Sequence, residues 1–337
     1  MKVSQLGEFG LTELLADIIS SGKRSHQLLV GVGDDAAAWQ SGDSVVLATI
    51  DTMVQGVHFT SQISWRELGW KAMAQNLSDI AAMGGCPEYA LVSLTLPGDI
   101  EVSSITQLYH GMMEIANQFE LVIAGGNISS APLVVITIAL IGKAQGKGML
   151  TRSAAKPGEL IAVTGYLGTA AAGLKMLTSQ LQFDSETMAL FRQAHQHPIP
   201  RVLEGQILSR HEVQAAIDIS DGLAADLIHI CEASQIGAQL EIDRLPIHPR
   251  VWAAFPTEAL GLALSGGEDY ELLFTTNLET IDRVKTELSC PITVIGNIVE
   301  ASPGQLTLID KKGEPFTWDR GGWEHFISAP QNDEGKS

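Results

Sequence analysis

Aspartates crowd the turns of this chain in a pattern that suits a hard cation and a phosphate. Asp34 and Asp35 lie in GVGDDAA, Asp51 closes VVLATID, Asp79 lies in NLSDIAAMGG, and Asp218 and Asp221 bracket Ser220 in IDISDGL. Most fall at strand ends or beside Gly and Ala, where a backbone can come close to a ligand. Mg²⁺ takes carboxylate oxygens, keeps several waters and leaves its remaining positions to phosphate oxygens. Carboxylates converging from separate strand ends would meet that demand, and would repel one another without a cation. Each turn also has a plain structural explanation. GDD and DG are common turn dipeptides, Asp221 stands where a helix would be capped, and Asp51 could simply close a strand. Asp79 fits a structural role least well, because it sits near the negative end of its helix dipole. It is the co-occurrence of these turns that points to a cation.

Other chemistry-bearing patterns are weaker. Gly165–Leu174 (GYLGTAAAGL) is a glycine turn between strand and helix, but it matches neither GxGxxG nor the P-loop pattern, and close strand–helix packing explains it. Ser265–Glu271 (SGGEDYE) sets two glycines before acidic residues, equally suited to a ligand-approaching loop and to a plain turn. There is no GxSxG and no cysteine with a helpful neighbour, so no nucleophilic triad is indicated. His58, after Gly56, has the ordinary reading of a loop or core histidine. Cys86, Cys231 and Cys290 stand far apart, which excludes a disulfide framework or a CxxC zinc site.

The elements that must position these residues alternate between helix and strand. An amphipathic helix is expected at 11–19, strands at 28–30 and 44–50, and a long helix from Trp65 to Met83 ending at Gly84-Gly85. A strand at 89–96, a helix near 102–119 and strands at 121–124 and 133–141 complete the first half. The polar, Gly- and Lys-rich stretch 143–158 reads as a linker. The second half restarts with a strand at 160–164 and a helix at 170–181, and 179–200 reads as a surface excursion. Strands at 215–219, 238–242, 271–275, 293–298 and 306–309, with helices at 223–234 and 278–288, make the chain an α/β protein of α+β type in two similar halves. The boundaries are 1–145 and 151–327, with a polar, frayed tail at 328–337.

Composition sets outer limits. The 337 residues are 45% apolar and 18% charged, enough for sizeable cores. Lys and Arg number 21 against 39 Asp and Glu, a net charge of −18, which argues against a nucleic-acid binder whose affinity comes from basic side chains. Anionic small ligands would need bound cations or local Arg and Lys. Glu8 and Glu13 interrupt any signal-like apolar run, and no run approaches a membrane span, so the expectation is a soluble cytoplasmic protein with no membrane partner.

With those residues assembled, the chain resembles the thiamine-monophosphate kinases. That family belongs to the superfamily typified by aminoimidazole ribonucleotide synthetase, alongside selenophosphate synthetase and a hydrogenase maturation factor. The likeness runs from GEFGL at Gly7–Leu11 to GGWEHF at Gly321–Phe326, through GVGDDAA, DTMVQGVHF, KAMAQNLSDIAAMGG, LTRSAAKPGE, IDISDGL and SGGEDYEL. It implies a two-domain fold with mixed sheets packed by helices in each half, the N-terminal half binding ATP and Mg²⁺ and pairing across a homodimer, the C-terminal half completing the nucleotide and substrate sites. It implies transfer of a phosphoryl group from ATP to thiamine monophosphate, giving thiamine diphosphate and ADP. Asp35, Asp51, Asp79 and Asp218 match the positions that bind several Mg²⁺ ions in that transfer, and Asp221 a further ligand. Thr49 matches a hydroxyl ligand, while Ile50 can offer only its carbonyl. Gly126, Asn127, Arg152 and Ser220 match ATP positions, and His58, Glu268 and Trp323 match positions that hold the thiamine moiety. Trp323 has a second reading as a packing residue. One departure stands out: the family often reads GGDTTR where this chain has GGNISS at Gly125–Ser130, so Asn127, which can still offer a neutral oxygen, replaces a metal-binding aspartate. Two rivals follow: another ATP-using enzyme of the superfamily, with a different acceptor, and a non-catalytic nucleotide- or thiamine-binding protein.

Overall fold

Two mixed six-stranded sheets, one in each half of the chain, share a helix buried between them. The computed structural model describes residues 2–22, 25–145 and 148–318. Trp323 and the tail at 328–337 lie outside the described residues. The first half runs α1 (Val3–Ser20), β1 (Leu28–Val30), β2 (Ala37–Ser41), β3 (Ser44–Val54) and α2 (Trp65–Ala82). It continues through β4 (Gly85–Leu96), α3 (Val102–Gln118), β5 (Val122–Ser130) and β6 (Val135–Ala144). The second half opens with β7 (Leu160–Thr164), α4 (Thr169–Thr178), α5 (Ser185–Gln196) and α6 (Val202–Arg210). Then come β8 (Ala215–Asp218), α7 (Leu223–Ser234), β9 (Gly237–Glu241), α8 (Pro249–Ala254) and α9 (Ala259–Ser265). It closes with β10 (Leu272–Thr276), α10 (Leu278–Glu287), β11 (Ile292–Val299) and β12 (Leu306–Ile309).

The first sheet has the order β1-β2-β3-β6-β4-β5 and the second β12-β9-β11-β7-β10-β8. Each is antiparallel except for one edge pair, β4–β5 in the first and β12–β9 in the second. In the first sheet the pleat sorts side chains cleanly. Ala90, Val92 and Leu94 of β4 and Ile136, Ile138 and Leu140 of β6 face α2 and α3, whereas Tyr89 and Leu91 are exposed on the other face. Ile50, on that same face, is also exposed and apolar. Among the described residues, helices therefore cover only one face of this sheet.

Helix α2 positions the rest. A capping box starts it: the Glu67 N–H donates to Ser64 Oγ and the Ser64 N–H to Glu67 Oε2, each at 3.2 Å. It is then buried on nearly every side, with Met73, Leu77, Ile80 and Ala81 all sealed from solvent. One side meets the first sheet and α3; the other meets α6 and β8 of the second half. One continuous apolar cluster consequently includes Leu77, Ile80, Val202, Leu208 and Ala216, so the halves are joined through their cores.

Several expectations change. The stretch 179–200 is no surface excursion: it contains α5, capped by Asp184 accepting from the Thr187 N–H at 3.0 Å, with Phe191, His195 and Gln196 buried. The polar punctuation HQHPIP concealed that helix, and the buried face is carried by few strongly apolar residues. Strand β2 and helices α6, α8 and α9 were also unanticipated; β2 and α8 are short and α9 is flanked by polar turns, so periodicity had little to act on. The 143–158 connection is stitched down rather than free. The Leu150 N–H donates to the Met83 carbonyl (3.2 Å) and the Thr151 N–H to the Gln214 carbonyl (2.9 Å). Helix α1 forms, but Leu14, Leu15, Ile18 and Ile19 of its apolar stripe are exposed in the single chain. No helix among the described residues is long and apolar enough to cross a membrane.

The α2–α6 junction depends on Gly205, where a Cβ would lie 2.0 Å from the Ala81 carbonyl oxygen. Gly205→Ala must push the two halves apart, and should cost roughly 1–3 kcal/mol of stability despite alanine's better helix propensity. Urea unfolding of the variant, with a lowered midpoint and an unchanged slope, is the check.

Candidate active site

The acidic turns converge where the two halves meet. Asp35 follows β1, Asp51 lies on β3, Asp79 is in the last turn of α2, and Asp218 ends β8. Carboxylate oxygens of Asp35, Asp79 and Asp218 all lie within 4.8 Å of one another. Thr49 and Asp51 point to the α2 side of β3, as alternation from buried Leu47 and Met53 requires, and the Thr49 hydroxyl donates to Asp79 Oδ2. The Ser78 hydroxyl donates to Asp218 Oδ2 at 2.6 Å. Ile50 points to the opposite face and offers the site only its backbone.

These carboxylates hold one another in a costly state. Burial and Asp35 push Asp218 up to about 8. Burial together with Asp51 and Asp218 holds Asp79 well above the carboxylate range. Burial and Asp221 bring Asp51 to about 6, and burial and Asp35 do the same for Asp34. Arg152 is the cation beside them: its guanidinium pairs with Asp35 Oδ1, and its backbone N–H lies 3.2 Å from Asp34 Oδ2. Asp35 Oδ2 is buried with no hydrogen-bond partner among the described residues. A cluster of hard oxygen donors, under-neutralised and with one orphaned oxygen, fits a divalent cation of the Mg²⁺ type.

The two signature loops of the second half are built as a pair. The N–H groups of Glu268 and Tyr270 donate to the carbonyls of Ser220 (2.8 Å) and Ile219 (2.9 Å). A Cβ on Gly267 would lie 2.4 Å from the Ser220 carbonyl oxygen, so IDISDGL and SGGEDYEL can approach only with glycine there. Asp226 Oδ2 shapes the same turn by accepting from the N–H groups of Ser220, Asp221 and Gly222 at 3.1–3.2 Å. Asp221 lies beside it, within reach of Asp226 and His229.

Glu268 faces away from the acidic cluster and belongs to a second centre. Its carboxylate meets Lys71 Nζ at 2.6 Å and His195 Nδ1 at 2.9 Å. Burial alone would raise it, but Lys71 and His195 hold it down at about 2. Lys71 is on α2, eight residues before Asp79, which at 1.5 Å per residue separates the two centres by ~12 Å along the helix. Between β3 and α2, His58 accepts the Val54 N–H on Nδ1 at 3.0 Å. His58, Lys71 and His195 line one cavity of about 270 Å³.

Asn127 and Gly126 are not brought to the acidic cluster within one chain. The paired rows run Asp51–Ile138–Val92–Gly126 and Thr52–Thr137–Ser93–Asn127. Asn127 is thus three strands from β3, on the order of 14 Å at 4.8 Å per strand, and on the exposed face. Trp323 lies outside the described residues. The partners of Glu268 are what sequence reasoning missed. Lys71 offered one signal, a charge inside the otherwise apolar face of a long helix; His195 offered none, because its helix was not recognised.

The chain is similar to known proteins both in sequence and in fold. Family models of the AIR synthase related protein match twice, the N-terminal domain over residues 33–144 and the C-terminal domain over 156–309. The thiamine-monophosphate kinase of Escherichia coli K12 is 38% identical over 328 residues, covering 96% of this chain and 99% of that one. The Bacillus subtilis enzyme of the same name is 38% identical, covering 88% and 93%. A solved structure described as AaThiL complexed with AMPPCP and TMP superposes with a TM-score of 0.85 at 31% identity, covering 96% and 99%. A hydrogenase maturation protein, HypE, bound to ATP, shares the fold alone at 16% identity and a TM-score of 0.68.

The repulsion in the cluster is measurable without any substrate. A carboxyl raised in the native state destabilises it once ionised, so Asp218's contribution is favourable below pH 4 and is lost as the pH rises to about 8. In EDTA, Asp218→Asn should therefore raise the melting temperature at pH 8 by ~2–4 °C or more, the shift that about 1 kcal/mol produces in large domains. The stabilisation that millimolar MgCl₂ gives the unsubstituted protein should shrink sharply in the variant. Scanning fluorimetry across pH, with and without MgCl₂, reads both.

Proposed function

The chain belongs to the thiamine-monophosphate kinase family, and we propose that the acidic cleft at the end of α2 is where its phosphoryl transfer takes place. The enzyme phosphorylates thiamine monophosphate with ATP, giving thiamine diphosphate and ADP. The observation that supports this cleft as the reaction centre is the convergence of Asp35, Asp79 and Asp218 from three separate elements. Asp35, Asp51, Asp79 and Asp218 would hold Mg²⁺, with Thr49, the Ile50 carbonyl and Asp221 as nearby donors. Bound there, Mg²⁺ ions supply the positive charge that lets two phosphate groups approach.

The acceptor is a phosphate monoester already ionised at neutral pH, so none of the chain's residues has to abstract a proton. The work is positional and electrostatic. Arg152 is half-buried beside Asp35 and contributes fixed positive charge toward the ATP phosphates. Ser220 sits in the turn held by Asp226, which accepts its backbone N–H, and its family position assigns it to ATP. His58 and Glu268 hold the thiamine end, and Trp323 joins them by family position.

Asn127 and Gly126 serve ATP only if a second chain supplies them. A homodimer formed through the uncovered face of the first sheet would do this. That face carries Ile50, Tyr89 and Leu91, and the apolar stripe of α1 is also open. In that dimer the N-terminal half, 1–145, binds nucleotide and pairs; the C-terminal half, 151–327, completes the substrate site. ATP as phosphoryl donor is consistent with a cytoplasmic setting.

A single-turnover assay with Mg²⁺-ATP and thiamine monophosphate should yield equal thiamine diphosphate and ADP, and nothing with EDTA or with free thiamine. ADP without thiamine diphosphate would mean another acceptor; ATP binding with neither product would mean a non-catalytic binder. His58→Ala should raise KM for thiamine monophosphate more than it lowers kcat, and steady-state kinetics that showed the reverse would remove His58 from substrate positioning.

A further inference from the structure

Two residues without glycine's freedom stand in the left-handed region beside the substrate cavity. Glu268 has a φ of 68° and Tyr270 a φ of 50°, on either side of Asp269 in SGGEDYE. Side chains of this size adopt that conformation only where the surroundings over-determine it. Here the segment is held at both ends and in the middle. At its start the Glu268 N–H donates to the Ser220 carbonyl. In the middle, Asp269 accepts the N–H groups of Gly168 (2.7 Å) and Ala170 (3.2 Å) at the start of α4. At its end the buried Glu271 is gripped by Arg201, whose Nε donates to Oε2 and Nη2 to Oε1, each at 2.6 Å. The Thr164 hydroxyl gives Oε2 a second donor at 2.6 Å. A Cβ on Gly165 would lie 1.9 Å from Oε1, so the clamp closes only with glycine there.

A fork of this kind fixes direction as well as distance, because two parallel N–H groups match both carboxylate oxygens. For stability alone, an apolar pair of similar volume would serve as well or better. The place of Arg201 shows what that direction is referred to. It precedes α6, one turn ahead of Gly205, whose backbone rests against Ala81 of α2. Helix α2 also carries Lys71, the partner of Glu268. Contacts thus run from α2 through α6 and Arg201 to Glu271, and return through Glu268 to α2. Within that circuit the Glu268 side chain is the most open, at 28% exposed against 1% for Lys71 and 7% for Glu271.

Resting on the functional reading above, we propose that Arg201 is a positioning residue for the substrate: its clamp on Glu271 holds SGGEDYE in the strained form that keeps the Glu268 carboxylate against Lys71 and His195. Arg201 acts through Glu268 and touches no substrate itself. Without the clamp, Glu268 and Tyr270 can relax to negative φ, which turns the Glu268 side chain away from Lys71. The acidic centre is held separately, by the burial of α2 and of β8.

The test is steady-state kinetics on Arg201→Lys, which keeps the charge and loses the fork. KM for thiamine monophosphate should rise about tenfold, the scale of one hydrogen bond to a charged group, with kcat and KM for ATP within about twofold. A clamp that served stability alone would lower the melting temperature and leave all three constants in place. A double-mutant cycle with Glu268→Gln reads the route. Glu268→Gln should itself raise KM for thiamine monophosphate, and in that background Arg201→Lys should add less than about twofold. Glu271→Gln, which keeps the shape and drops the charge, should repeat the selective rise and takes the place of Arg201→Lys in the cycle if that variant does not fold. An unchanged KM for thiamine monophosphate in a folded clamp variant overturns the proposal. So does an undiminished effect of that variant in the Glu268→Gln background. An unchanged KM in Glu268→Gln alone, or failure of the unsubstituted enzyme to make thiamine diphosphate, would instead remove the functional reading, and the proposal with it.

Discussion

Mutual repulsion among Asp35, Asp51, Asp79 and Asp218 is the constraint around which the molecule is organised. Left to itself, a buried group of carboxylates either protonates or spreads apart. Here they cannot spread. Asp79 is fixed to a helix that is buried on nearly every side, Asp218 ends a strand whose four residues are all buried, and Thr49 and Ser78 hold two of the carboxylates by hydroxyl bonds. The core therefore supplies the rigidity that keeps like charges together. Among the described residues, Arg152 is the cation that offsets them, through Asp35, and the remaining imbalance would favour a divalent cation in the cleft.

Helix α2 converts this local arrangement into a site with two ends. Asp79 and Lys71 are on one rigid element, so the distance between the acidic centre and the Lys71–Glu268–His195 centre is set by helical rise rather than by loops. The halves contribute alternately: Asp79 and Lys71 come from the first, Asp218, Glu268 and His195 from the second. Trp70 adds a further tie, stacking on His197 with ring centroids 3.6 Å apart and donating its Nε1–H to the Pro198 carbonyl at 2.6 Å. Relative movement of the halves would disturb both ends at once.

Much of this was legible because polar turns announce themselves. The Asp positions stood out by residue type and by their place at strand ends, and the long apolar period of α2 predicted the helix that carries Asp79. The pairing of IDISDGL with SGGEDYEL was not legible from either motif. Gly267 alone looks like turn chemistry, and only the backbone approach at Ser220 explains it. The second centre was hidden for a different reason. Helix α5 buries His195 and Gln196 through contacts with distant elements, and those contacts leave no period in the local sequence. The register of β5 was equally silent: nothing local shows that Asn127 falls on the face opposite Asp51.

The two ends of the site also divide the energetic work. The acidic end is anionic before any ligand arrives, and the chain's net charge of −18 adds to the potential that a phosphate must climb. Nucleotide and acceptor placed there, as proposed above, would gain little until cations bind, and by linkage each phosphate would in turn strengthen cation binding by the same factor. An interaction of that kind is strong but indifferent to what the phosphate is attached to. Discrimination has to come from a place where charge is already balanced and where a mispaired group has no water to turn to. The inner wall of the pocket, Lys71, His195 and Gln196, comes nearest to both conditions, since the Lys71–Glu268 pair is internally neutral and these three residues are buried. If phosphates and cations occupy the acidic end and the thiamine ring the other, as proposed above, separating the centres along α2 would keep the screening cations away from the groups that read the substrate, so that strength and selectivity could be set independently.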